Sequence, residues 1–211
     1  MNRLAIVFAL AAVVGCSRSG IKGNGAITSE NRTVSDFSAL SVAGAYKIKW
    51  SSGKPALTIS TDENLLPLIK TRVNGNTLQI DSEGNLAPTK SITVNISSAT
   101  LSDVQLAGAI DLTATQLSGS DLELESSGAS SITADGSVTN LRANFAGACK
   151  FNAKSLQTQT ATVSLVGASN ADVYVTKTLK ASIAGAGVLT YSGDPKSVEK
   201  KVNGAGSIRP R

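Results

Sequence analysis

A Gly-Ala pair recurs along the C-terminal half of this chain, at Gly108-Ala109, Gly128-Ala129, Gly147-Ala148, Gly167-Ala168, Gly185-Ala186 and Gly204-Ala205. Successive glycines stand 20, 19, 20, 18 and 19 residues apart, a self-similarity that points to a repeat architecture. An earlier copy, Gly44-Ala45, precedes Gly108 by 64 residues, an interval with room for about three irregular units of similar length.

Aligning the copies on the glycine turns the columns into a physical pattern. Two residues before it stand Val42, Leu106, Ser126, Phe145, Leu165, Ile183 and Val202; four before it, Leu40, Val104, Leu124, Ala143, Val163, Ala181 and Lys200. Four residues after it come Ile48, Leu112, Ile132, Phe151, Ala171, Leu189 and Ile208. Between these lie mostly polar positions, so the pattern has the period of two of a strand with one buried face. The spacing therefore predicts a strand, a bend at Gly-Ala, a second strand and a polar return in every unit.

A unit of that kind cannot bury its apolar side alone, but stacked units can. The expected fold is all-β: a parallel β-helix, or solenoid, with coils of about 18–20 residues, each about 4.8 Å above the last. Glycine at the bend allows backbone angles closed to other residues, and the following alanine suits a crowded corner. An antiparallel sandwich is the competing arrangement, but it does not require a constant spacing. Residues 54 to 100 are less regular. Ala56 to Ser60, Thr77 to Asp81 and Ser91 to Ile96 alternate as strands, Asp62 to Lys70 has room for one helical turn limited by Pro67, and Asn74-Gly75 suits a tight turn. This stretch reads as a wider N-terminal part of the same domain.

Composition then narrows the chemistry. The 211 residues include no histidine, which excludes imidazole bases and ligands. Aromatic residues make up 4%, too few for base-stacking platforms, so the formal charge of +5 is no sign of a nucleic-acid partner. A narrow coil interior accounts for the same scarcity.

The N-terminus reads as an address. Asn2-Arg3 is followed by the apolar run Leu4–Val14 and then Gly15-Cys16, the shape of a secretory signal with an apolar stretch too short to span a bilayer. Val13-Val14-Gly15-Cys16 resembles a bacterial lipobox, which implies cleavage after Gly15 and acylation of Cys16, so that membrane lipid is the first partner expected. Ser17, where aspartate would retain a lipoprotein at the inner membrane, favours an outer-membrane address. The expected organisation is a lipoprotein signal at 1–15, a lipidated tether at 16–25 and a single domain at 26–211. With Cys16 acylated, Cys149 has no partner for an intramolecular disulfide and reads as a small buried side chain.

Three ordered motifs resemble a known family. Ile21-Lys22-Gly23-Asn24-Gly25, Arg32 to Phe37 and Leu40 to Gly44 are similar to the opening of the autotransporter-adhesin "head GIN domain" family. Asp62 to Pro67 with Val73 to Leu78 matches its middle, and Tyr191 to Pro195 with Val202 to Ile208 its closing signature. The resemblance covers residues 21 to 208. It implies a secreted or cell-surface β-helical domain with adhesion as the suggested activity, and it brings no catalytic residue. Ala-Gly-Ala stands here where serine-flanked glycines are common in that family.

Candidate chemistry is sparse. Glu123 and Glu125 share a strand face at i, i+2 spacing, roughly 6.6 Å apart, within the range of a glycosidase carboxylate pair. Arg142 falls one coil above Glu123, so the same residues also read as an exposed ion pair and a solvated carboxylate within a surface ladder. Asp103, Asp111, Asp121, Asp135 and Asp172 are scattered without the spacing of a calcium loop, and neither metal nor cofactor is expected. Basic residues Lys196, Lys200, Lys201, Arg209 and Arg211 gather at the C-terminus, as a cap on the open end of the stack or a contact for anionic lipid or acidic glycan. The expected protein is a non-catalytic, lipid-anchored envelope protein, an adhesin or binding module for a glycan or protein. A polysaccharide-acting β-helical enzyme and a purely structural envelope protein are the alternatives.

Overall fold

The computed structural model describes residues 20–211; the leader, Cys16 and the start of the tether lie outside the described residues. The described residues form fifteen strands: β1 (Ile21–Lys22), β2 (Ile27–Arg32), β3 (Ala39–Ser52), β4 (Ala56–Asp62), β5 (Ile69–Asn74), β6 (Thr77–Ser82), β7 (Leu86–Ala87), β8 (Thr93–Ser98), β9 (Asp103–Gly128), β10 (Ser131–Gly147), β11 (Lys150–Gly167), β12 (Asn170–Gly185), β13 (Val188–Ser192), β14 (Ser197–Asn203) and β15 (Ser207–Pro210). From β3 and β9 onward the pairing is parallel, coil upon coil, and the corner glycines fall into register: Gly44 against Gly108, Gly128 against Gly147, Gly147 against Gly167 and Gly167 against Gly185. This is the parallel β-helix that the spacing predicts.

The corner glycines are fixed by contact as well as by angle. Gly128 has φ +123°, and a Cβ added there would run into the carbonyl oxygen of Gly108, which accepts the hydrogen bond of Ala129 N–H at 2.9 Å. The crowding is therefore at glycine. The alanines that follow, among them Ala109, Ala129, Ala148 and Ala168, are exposed and do not fill a tight corner.

The inward columns pack as expected, with Leu40, Leu106, Leu124, Phe145, Leu165, Ile183, Ile48, Leu112 and Phe151 all buried. A further inward column two residues after the glycine, Tyr46, Ile110, Ser130, Cys149 and Ser169, shrinks along the stack and narrows the corner. Cys149 is free and buried, its Sγ 3.6 Å from Ser126 Oγ. Phe145 and Phe151 meet edge to face at 5.2 Å.

Three expectations change. The return is not polar: Leu117, Val138, Leu156 and Val175 are buried on a third stretch that closes each coil. The ladder register slips at Ala134/Gly136 and between Ala153 and Thr160, and these slips absorb the variation in repeat length. The interval between Gly44 and Gly108 holds no sequential coils, because their two layers are direct neighbours. The residues between them leave the stack and pass beneath β3, where β6 and β8 pair with it in parallel while β4, β5 and β2 add antiparallel pairs. Within this excursion the helical turn is reduced to a 3-10 turn at Leu66–Leu68, and the tight turn sits at Gly75-Asn76, one residue later than expected.

The two ends are closed differently. At the N-terminal end the Ile21–Gly25 stretch, which composition alone assigns to the tether, is bound to the domain. β1 pairs with β7, and Asn64 Nδ2 donates to Lys22 O at 2.8 Å. The buried Asp62 carboxylate accepts from Gly25 N–H (2.7 Å), Thr89 Oγ1–H (2.7 Å) and Thr89 N–H (2.9 Å). Burial pushes that carboxyl up, but the bonds from Thr89, Gly25 and its own amide together hold it below the usual carboxylate range. At the other end Val202 is 39% exposed and Lys200 is exposed, so the two inward columns before the glycine do not continue into the last coil, although Ile208 still packs partly buried against the core above Leu189. Lys200 Nζ lies 5.1 Å above the Tyr191 ring and donates to Ile208 O at 3.2 Å, a charge laid across an open strand edge.

A candidate binding groove across the coils

Before each corner the outward side chains form two columns. Three residues before the glycine stand Ser41, Gln105, Glu125, Asn144 and Ser164; one residue before it, Ala43, Ala107, Ser127, Ala146 and Val166. Their alignment is set by the parallel register, which places Ser41 beside Gln105, Glu125 beside Asn144 and Asn144 beside Ser164. The small side chains of the second column leave a groove of about 470 Å³ beside the longer polar ones. It crosses five layers, about 19 Å at the spacing of paired strands.

Its chemistry is that of hydrogen bonding. Amides donate and accept, hydroxyls do both, and Glu125 accepts only, so the wall offers one polar group per coil against an apolar floor. Val166, 49% exposed, closes one end as an apolar surface. Repetition of donors and acceptors at a constant step suits an elongated ligand with its own repeat.

The residues singled out in the sequence are brought near one another in part. Arg142 and Glu123 stand in register in neighbouring coils, Nε to Oε1 at 3.7 Å, with both side chains largely in solvent. Glu125 lies in the groove beside Asn144. Asp103, weighed in the sequence only as one of the scattered aspartates, joins this pair: burial and then the charge of Glu125 push its carboxyl upward, and its Oδ1 is buried without a hydrogen-bond partner. Its position five residues before Gly108, in the same outward column as Glu123, was the available signal. The scattered aspartates do not converge, and no three acidic or cysteine side chains form a metal-holding group among the described residues.

A second groove, about 420 Å³, lies after the corner near the C-terminal end and is lined by Lys150, Lys154, Arg209, Asn152, Asn170 and Thr190 around Asp172. No helix among the described residues is long and apolar enough to cross a membrane.

A parallel β-helix with polar grooves along its coils and a repeat-built core defines the class: an elongated all-β repeat domain. Residues 36–195 match the family model described as "Putative auto-transporter adhesin, head GIN domain", and the chain belongs to that family. The fold is shared with a crystal structure of a "putative adhesin" from Bacteroides fragilis, at TM-score 0.73 and 18% identity over 91% of this chain and 100% of that one. A "putative lipid binding protein" from Parabacteroides distasonis aligns at TM-score 0.53 and 23% identity over 90% and 99%. A "putative adhesin" from Parabacteroides merdae aligns at 0.52 and 19% over 91% and 99%. No curated protein matches the sequence. Family membership makes the chain adhesin-like, of the cell envelope or surface.

Proposed function

We propose that the protein is a non-catalytic envelope adhesin, or binding module, held to the outer membrane by acylated Cys16 and binding a glycan or a surface protein along its coils. The observation that carries this reading is the groove over five coils, with Gln105, Glu125, Asn144 and Ser164 repeating at the coil step. A ligand lying along the stack would meet the same kind of hydrogen-bonding group at each layer, which is how a repeating chain gains affinity from individually weak contacts.

Anchoring rests on the lipobox-like Val13-Val14-Gly15-Cys16. Because the chain is bound to the domain from Ile21, only Ser17 to Gly20 would separate the acylated cysteine from the fold, about 14 Å at full extension. The N-terminal end of the solenoid would then rest close to the bilayer, with the stack projecting from it. Incorporation of labelled palmitate that disappears in Cys16→Ser is the expected result, and labelling that persists would reject the anchor.

A polysaccharide-acting reading draws on one observation, the raised Asp103 carboxyl beside Glu125. One experiment separates the two. The purified mature chain is applied to a glycan array and each hit is analysed for products. Binding without new reducing ends or unsaturated sugars is expected; turnover lost in Glu125→Gln would replace the binding module with an enzyme.

A further inference from the structure

We propose that the second groove, at the C-terminal coils, binds an acidic oligosaccharide carrying uronate or sulfate groups. It extends the reading of a glycan-binding module with a second place and a charge for the ligand, and it stands on a different stretch of the coil from the Gln105–Ser164 groove.

The parallel register places Lys150 beside Asn170, and Asn152, Asp172, Thr190 and Arg209 one above another in a single outward column. Lys150 and Arg209 therefore bracket the groove from below and above, three strand spacings up and two residues along, about 16 Å between their backbones. Asp172 is the carboxylate inside, and it is already engaged by Lys154 Nζ at 3.7 Å and by the guanidinium of Arg211. Neither Lys150 nor Arg209 has a carboxylate partner among the ion pairs of the described residues. The groove thus carries uncompensated positive charge at both ends, with two amides and a hydroxyl between them.

That distribution selects the ligand. Two cations on backbones about 16 Å apart call for an anion with at least two separated acid groups, which a free phosphate lacks. The amides of Asn152 and Asn170 and the Thr190 hydroxyl both donate and accept, as a hydroxyl-rich backbone requires. A flat bilayer would reach the prominent ammonium groups but leave a recess of about 420 Å³ unfilled. The chemistry is that of an acidic glycan.

The test uses the full chain in detergent, titrated with size-defined heparin and oligogalacturonate oligosaccharides, with uncharged maltohexaose as the control sugar. Acidic oligosaccharides bind, maltohexaose does not, and affinity falls with added salt. Lys150→Glu with Arg209→Glu weakens binding about a hundredfold, near tenfold per reversed charge. Lys49→Glu with Lys54→Glu, the same charge change elsewhere, leaves affinity within about twofold. Gln105→Ala with Asn144→Ala is assayed separately against the glycan-array hits, where a loss reports the first groove, so failure of the first groove and of this one are told apart. Melting curves check folding, and if the double reversal unfolds the protein, Lys150→Gln with Arg209→Gln takes its place, with a loss of about tenfold. Absence of acidic-sugar binding, an equal loss in the Lys49/Lys54 pair, or Lys150/Arg209-dependent binding of phosphatidylglycerol vesicles in place of the sugars would each overturn the proposal.

Discussion

The stack from β9 to β13 and the excursion from residues 53 to 102 contain the same kinds of strand but hold them in opposite ways. In the stack, a residue's environment is set by its column: Leu106, Phe145, Leu165 and Ile183 do the same work in successive coils. In the excursion each position answers to particular partners. Trp50 Nε1 donates to Ser98 Oγ at 2.9 Å, Arg32 reaches the carbonyls of Leu66 and Ile69, and Asp62 gathers Gly25 and Thr89. A repeat tolerates drift in any one unit because its neighbours restate the pattern, whereas the excursion depends on single contacts. The regular part is consequently where a surface can vary without endangering the fold, and most of both candidate grooves lies there, with β3 and β15 adding one end of each.

The largest effect should come from breaking a column. Leu165 is buried between Phe145 and Ile183, so Leu165→Asp places an unpaired charge where no water reaches and should cost more than about 4 kcal/mol, abolishing the cooperative thermal transition. A sharp melt retained near the parent temperature would mean that the column is not a shared core.

The corner glycines give a smaller and more pointed contrast. Gly128 and Gly75 both have positive φ, +123° and +60°, but only Gly128 lies against a neighbouring carbonyl, while a Cβ on Gly75 would meet nothing. Gly128→Ala therefore adds overpacking to backbone strain and should cost about 2–4 kcal/mol, against about 1 kcal/mol for Gly75→Ala. Equal losses in denaturant titrations would show that angle alone, and not the stacking of coils, fixes the corner.

These corners were legible in the sequence because the repeat supplied many aligned copies of one position. The columns at Leu40, Val42 and Ile48 were legible for the same reason, since a period of two survives alignment on the glycine. The column of Tyr46, Ile110, Ser130, Cys149 and Ser169 was hidden because its serines do not read as core, so that Cys149, expected to be buried, stood alone and not as a member of a column. The third stretch was hidden because its buried residues do not keep one offset from the corner glycine: Leu117 and Leu156 stand nine residues after it with Gly136 between them, whereas Val138 stands ten after and Val175 eight. In the excursion the strands were visible by alternation but their partners were not, because alternation specifies a buried face and not the direction or order of pairing. The polar columns of the first groove were visible, whereas its depth depends on how neighbouring coils sit.

Acid should separate the two regions further. Asp62 has a folded pKa below its unfolded value, so its contribution is present above the ordinary carboxylate pKa of about 3.9 and is lost as pH falls through the folded value. Asp103 is raised, so its ionisation disfavours the folded state, and that penalty is relieved as pH falls from above the folded pKa toward the ordinary value. Corrected for the intrinsic rate, which itself slows in acid, the hydrogen-exchange protection of the Gly25 and Thr89 amides should therefore fall at low pH while that of the stack amides is kept. Asp62→Asn should bring that local opening to neutral pH. Uniform loss of protection over the whole chain would show that the N-terminal end and the stack open as one unit.

The smallest effect belongs to the Glu123–Arg142 pair, and its size tests what the outward ladders are for. The ions are 3.7 Å apart with side-chain exposures of 46% and 64%, so water and salt screen most of their attraction. A double-mutant cycle of Glu123→Gln and Arg142→Gln should give a coupling below about 0.5 kcal/mol that disappears in high salt. Inward columns and corner glycines would then carry the fold, leaving the outward ladders free to take on whatever charge a ligand requires. A coupling above about 1 kcal/mol would instead make the ladder part of the scaffold and tie the surface of each coil to that of the next.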